Sequence, residues 1–164
     1  MAKTTEFKTH IEPFVQKKLG KWFSGHVFEE KALQVGKRKD GTNAYHKFDA
    51  VSEDGTIIAS IKSHSWKTSG DKRPAGKIGA IYQSLYFLSL VKADTKLLIL
   101  TDEETYKGFL KDSDGKVTKD IRIKFCRLSP QLEKLAVNLH KRARQEIDGV
   151  KHSAKKKDNN REKH

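Results

Sequence analysis

Two short stretches of this sequence carry ionisable residues at a spacing that could do chemistry. They are His46-Lys47-Phe48-Asp49 and Ala59-Ser60-Ile61-Lys62, on either side of Glu53-Asp54-Gly55. An Asp-Gly pair between two runs of β-forming residues is a strong hairpin signal, so strands are expected over 45–52 and 56–64. With Asp54-Gly55 as a two-residue turn, the numbers of paired residues sum to 109. Asp49 then falls opposite Ser60, and Lys47 opposite Lys62, with Cβ atoms about 5 Å apart. One face collects Phe48, Ala50, Ala59 and Ile61, which is core material. The other collects Lys47, Asp49, Ser60 and Lys62, with Val51 and Ile58 nearer the turn. Asp is depleted in strands, so Asp49 needs a reason to be there. Facing lysines repel and call for an anion between them. Asp49 can supply it as a plain ion pair on an exposed face, or an anionic ligand can.

The rest of the chain must position that hairpin. Residues 10–23 read as a helix with Ile11, Phe14, Val15, Leu19 and Trp22 on one side and Pro13 in its first turn. Residues 26–35 read as a strand, and 36–41 as a basic loop. Residues 63–76 form a Ser/Gly/Lys-rich loop. A helix is expected over 77–91, a buried strand over 96–100, a helix capped by Thr101 or Asp102 to about residue 110, a strand over 121–128, and a final helix over 130–147 capped by Ser129. The order is α-β-β-β-α-β-α-β-α. A meander followed by alternating units implies an α/β fold with a central mixed β-sheet flanked by helices on both faces.

Composition narrows the function. The 164 residues include 34 Lys and Arg against 21 Asp and Glu, a net charge of +13. That excludes an acidic solvating protein and favours a nucleic-acid partner. A single domain is expected over 1–148, with a basic tail over 149–164. The tail holds six Lys/Arg and two acids, +4 of the +13, so +9 belongs to the domain. The tail lacks apolar periodicity and is expected to be disordered, adding phosphate affinity or only solubility. No run approaches the roughly 18 apolar residues of a membrane span. The N-terminus lacks a signal-peptide core, which points to the cytoplasm. Cys126 is the sole cysteine, so an intramolecular disulfide and a cysteine zinc site are excluded.

In element order over most of the first 130 residues, and in the Asp49…Ser60-Ile61-Lys62 stretch, the chain resembles the PD-(D/E)xK superfamily. That group includes restriction endonucleases, Holliday-junction resolvases and RecB-type nucleases. The resemblance implies a restriction endonuclease-like fold and metal-dependent hydrolysis of DNA phosphodiesters, a Mg²⁺- or Mn²⁺-dependent deoxyribonuclease activity. Asp49 would hold the metal, and Lys62 would orient the water and steady developing negative charge. Glu12, or second Glu6, would add an acid from the first helix. Gln83 matches in type the Gln that RecB-type members place near the site, although its spacing to Tyr86 is one residue short. Many members dimerise, so a homodimer is one arrangement the resemblance implies. The departure is Ser60, which stands where the family pattern has a carboxylate. A neutral hydroxyl cannot replace that charge, and Glu29 or Glu30 of the preceding strand is the expected compensation.

Other signals weigh less. The 66–77 loop could clamp a nucleic-acid backbone, with Lys67, Lys72, Arg73 and Lys77 (and Lys47 on the hairpin) on phosphates and Trp66 stacking. It could equally be a plain loop. No His-Asp set supports Ser60 as a hydrolase nucleophile. His46 and His64 flank the hairpin without enough further ligands for zinc. Gly76-Lys77-Ile78-Gly79 lacks the spacing of a phosphate loop. Three readings follow: a metal-dependent nuclease, a catalytically degenerate nucleic-acid-binding protein of the same fold, and a small basic protein-interaction module.

Overall fold

The computed structural model describes residues 5–66, 73–142 and 145. A π-turn at Phe7–Ile11 runs directly into helix α1 (Glu12–Trp22). There follow β1 (Phe28–Lys37), β2 (Asn43–Ser52), β3 (Ile57–Lys62), α2 (Ala75–Leu90), β4 (Thr95–Leu100), α3 (Glu103–Asp112) and β5 (Ile121–Phe125). A last helix, α4, covers residues 130–142. The element order is the expected one. The first strand begins and ends two residues later than its periodicity suggested. The end of the final helix and the basic tail lie outside the described residues.

The five strands form one open sheet in the order β1-β2-β3-β4-β5. The β1/β2 and β2/β3 pairs are antiparallel, and the β3/β4 and β4/β5 pairs are parallel. Parallel neighbours need a long crossover, which α2 and α3 provide. The sheet is therefore mixed and has helices on both faces. On one face Ile11, which ends the π-turn, and Val15 and Leu19 of α1 follow at four-residue spacing, packed on Ala50, Ala59, Ile61, Leu97 and Ile99, with Leu132 and Ala136 of α4 beside them. On the other, Ile78, Ile81, Leu85 and Leu88 of α2 and Phe109 of α3 pack on Phe48, Ile58, Leu98 and Leu100. Burial on both faces explains why β4 reads as one continuous apolar run. No helix among the described residues is long and apolar enough to cross a membrane.

The hairpin has the expected register, with Ala50 opposite Ala59 and Val51 opposite Ile58. Its loop is longer than two residues, spanning 53–56. The sum is unchanged because both loops are centred on the same point. Asp54 organises the loop: its Oδ1 accepts from Ser52 Oγ at 2.7 Å, Thr56 N–H at 3.0 Å and Thr56 Oγ1 at 2.8 Å. These bonds hold the Asp54 carboxyl down at about 2. Gly55 closes the turn at φ +73°, a conformation that favours glycine.

Candidate metal centre

The hairpin's charged residues do not sit as regular pleating places them. On β1, Glu29 pairs with Val51 and Lys31 with Phe48. Two steps along β1 thus match three along β2, and Glu30 faces both Asp49 and Ala50. This is a β-bulge, which re-aims side chains without breaking the sheet. It puts Ala50 in the core on the α1 side and Phe48 in the core on the α2 side. The expectation that Phe48 and Ala50 share a face is corrected accordingly: the extra residue between them reverses the alternation.

The bulge swings Asp49 toward α1. One carboxylate oxygen each from Glu12, Glu30 and Asp49 lie within 4.8 Å of one another. The three acids come from α1, β1 and β2. Asp49 is held at two points. Its Oδ2 accepts the Ile61 N–H at 2.7 Å, and its own C=O accepts Gln16 Nε2 at 2.7 Å. Glu12 and Gln16 are four residues apart on α1 and therefore share a side. The β2/β3 ladder ends at Ala50, so the Asp49 side chain takes the N–H that a continued ladder would use. Lys47 and Lys62 are not a cross-strand pair as a result. The anion that relieves Lys47 is Glu30, at 3.0 Å.

The cluster is unevenly neutralised. Glu30 also takes Lys8 Nζ at 2.6 Å, and the two lysines hold its carboxyl below the usual range. Glu12 has no such partner among the described residues. Burial first, and then the Asp49 charge, push it up to about 7. Burial likewise raises Asp49, against the pull of the Ile61 N–H and the Lys62 charge. The Lys62 ammonium forms no hydrogen bond or ion pair among the described residues, yet its charge acts on Glu12, Asp49, His46 and His64. Three hard oxygen donors suit Mg²⁺ or Mn²⁺ chemically.

Other expected site residues lie elsewhere. Ser60 is buried and pairs with Leu98 on β4. Strand alternation sets it with Ile58, on the α2 side, away from the Glu12 side of the sheet. Trp66 packs into the α2-side core with its indole over Gly108 of α3, so its ring is committed to packing. Arg73 is ion-paired with Asp112, whose carboxylate also accepts the Tyr82 hydroxyl at 2.9 Å. Lys77 Nζ donates to the Ser65 C=O at 2.7 Å, tying the start of α2 to the loop after β3. Gln83 is exposed on α2, one turn before Phe87. Lys67 and Lys72 lie outside the described residues. His46 lies flat on Phe87 with ring centroids 3.7 Å apart. Burial drives His64 down to about 4.

The sequence reading did not single out Gln16 or Lys8. Gln16 was legible as the polar residue one turn after Glu12, beside the Ile11/Val15/Leu19 stripe. Lys8 was not, because the π-turn alters its phase relative to α1. A separate cavity of about 840 Å³ lies between the ends of β4 and β5 and helix α4, lined by Thr101, Asp102, Phe125, Arg127 and Val137 among others. Its lining includes none of the three clustered acids. Comparison of the chain with family models, with characterised proteins and with solved structures finds no match.

Proposed function

We propose that the chain is a divalent-metal-dependent nuclease of restriction endonuclease-like architecture acting on DNA. The observation that carries this reading is the convergence of Glu12, Glu30 and Asp49 from three elements to within 4.8 Å, within electrostatic reach of Lys62. Glu12 and Asp49 would hold the cation, with Glu30 as the third ligand in place of the carboxylate that Ser60 lacks. A bound Mg²⁺ or Mn²⁺ supplies activation of water at neutral pH and counter-charge for phosphoryl oxygens. The protein's own share is positioning. The Ile61 N–H and the Gln16 amide fix Asp49, and the Lys62 ammonium offsets negative charge developing on the phosphate. The net charge of +13 draws the polyanion to the site.

One observation favours a second reading, a nucleic-acid-binding protein without catalysis. Lys8 and Lys47 already neutralise Glu30, so ion pairs can hold part of the cluster without a metal. The test is Mn²⁺-dependent cleavage of supercoiled and single-stranded DNA by the wild type, Asp49→Ala and Lys62→Ala. Cutting by the wild type and loss in both variants establishes the nuclease. Salt-sensitive DNA binding without cutting establishes the second reading, and neither activity removes both.

A further inference from the structure

Strands β1 and β2 run for ten residues each, whereas β3 runs for six and pairs with β2 only through Ala50 and Val51. From the bulge at Asp49 outward, the two strands therefore form a ribbon with no third strand. At about 3.3 Å per residue, the six steps from Asp49 to Asn43 carry it about 20 Å from the acid cluster. One side of the ribbon is covered: Leu33 and Val35 pack against the α2-side core and His46 stacks on Phe87. The other side is open, with Ala32, Gln34, Tyr45 and Lys47 all exposed and Tyr45 at 60%. Residues 31–47 contain five Lys/Arg against one acid, Asp40, a large positive excess for so short a segment. Lys37 and Lys39 at the tip are exposed. Arg38 and Asp40 instead brace the turn, through Asn43 O at 2.8 Å and the Thr42 N–H at 2.9 Å.

We infer that this ribbon is a DNA-reading arm that lays its open face in the major groove of a duplex, with Lys37 and Lys39 on the flanking phosphates. The inference rests on the nucleic-acid reading above and adds the form of the substrate. A two-stranded ribbon fits a B-form major groove about 12 Å wide, whereas the deep, narrow major groove of RNA duplexes excludes it. The amide of Gln34 and the phenol of Tyr45 lie on the groove-facing side, where donors and acceptors can meet base edges. The covered side keeps the ribbon stiff, and its base brings the groove-bound DNA to the acid cluster.

The test is equilibrium binding of labelled duplex DNA, single-stranded DNA and duplex RNA in EDTA, so that cation binding plays no part. Wild type is compared with Lys37→Ala/Lys39→Ala and with Lys92→Ala/Lys111→Ala as an off-ribbon control of equal charge. The tip variant should bind duplex DNA roughly tenfold more weakly at moderate salt, with the log–log salt slope shallower by about 2. The control should keep most of the wild-type slope. Both pairs are exposed, and unchanged melting temperatures verify the fold. Equal losses in tip variant and control, or equal wild-type affinity for duplex RNA and duplex DNA, would overturn the arm. Mn²⁺-dependent cleavage by a protein whose tip variant binds normally removes the arm and leaves the nuclease. Tip-dependent duplex binding by a protein that never cuts leaves the arm and removes the nuclease.

Discussion

Glu12→Gln separates a site built for a cation from a cluster that merely tolerates its charges. In the folded protein the Glu12 carboxyl is pushed from 4.5 to about 7, by burial and then by the Asp49 charge. The folded state therefore binds this proton more tightly than the unfolded state does. Between pH 4.5 and 7 the folded chain carries more bound protons, so stability falls as pH rises, and the full penalty is present above about pH 8. A shift of that size is worth about 3 kcal/mol, and solvent screening of the half-buried side chain reduces it to about 1–2 kcal/mol. Glutamine keeps the shape and removes the charge. Glu12→Gln should leave stability unchanged near pH 4 and raise it by about 1–2 kcal/mol at pH 8, which for a domain of this size is about 2–6 °C in melting temperature. Added Mn²⁺ at a hundred times its dissociation constant should stabilise the wild type by about 2.7 kcal/mol and Glu12→Gln far less. The assay is thermal unfolding at pH 4, 6 and 8 in EDTA and in Mn²⁺. A variant no more stable than wild type at pH 8 in EDTA would refute the charge argument. An equal Mn²⁺ shift in both proteins would refute the ligand assignment.

Four further outcomes follow from named contacts. Lys8 Nζ sits 2.6 Å from Glu30 and acts on Glu12 and Asp49 as an internal counter-charge; Lys8→Met should tighten Mn²⁺ binding severalfold by titration calorimetry, and weaker binding would show that Lys8 supports the site instead. Gln16→Ala removes the bond to the Asp49 C=O and should cost about 1 kcal/mol in denaturant unfolding while weakening Mn²⁺ binding; a stability loss with unchanged Mn²⁺ affinity would deny Gln16 a positioning role. His64, driven down to about 4, is destabilised by protonation, so stability should fall as pH drops from 6.5 toward 4, and His64→Gln should flatten that limb of the pH profile. A Cβ on Gly108 would stand 2.4 Å from Trp66 Cε2. Gly108→Ala should therefore cost about 1–3 kcal/mol and red-shift the tryptophan emission, and an unchanged spectrum would mean that Trp66 does not pack there.

The elements were legible in the sequence because each carries its own local signal. The Ile11/Val15/Leu19 stripe marks α1, the Lys-Leu-Leu-Ile-Leu run marks β4, and Asp102 caps α3 by accepting the Thr105 N–H at 2.8 Å. The register of the 45–62 hairpin follows from the position of its turn, whereas Asp49, with Glu12 or Glu6 and Glu29 or Glu30, comes only from what the family resemblance implies. Their geometry follows from neither. Two residues of β1 matching three of β2 is a relation between strands, and no periodicity in either strand announces it. That bulge turns Asp49 toward α1, parts Phe48 from Ala50 and leaves Ser60 on the far side of the sheet. Similarly, Trp66 and Arg73 looked available for ligand in the sequence, and only tertiary packing supplied Gly108 and Asp112 as their partners. Sequence alone determined which side chains are present and which elements carry them, because propensity and capping act over a few neighbouring residues. The tertiary structure decided which of them meet, because cross-strand register and helix docking join residues that local signals do not connect.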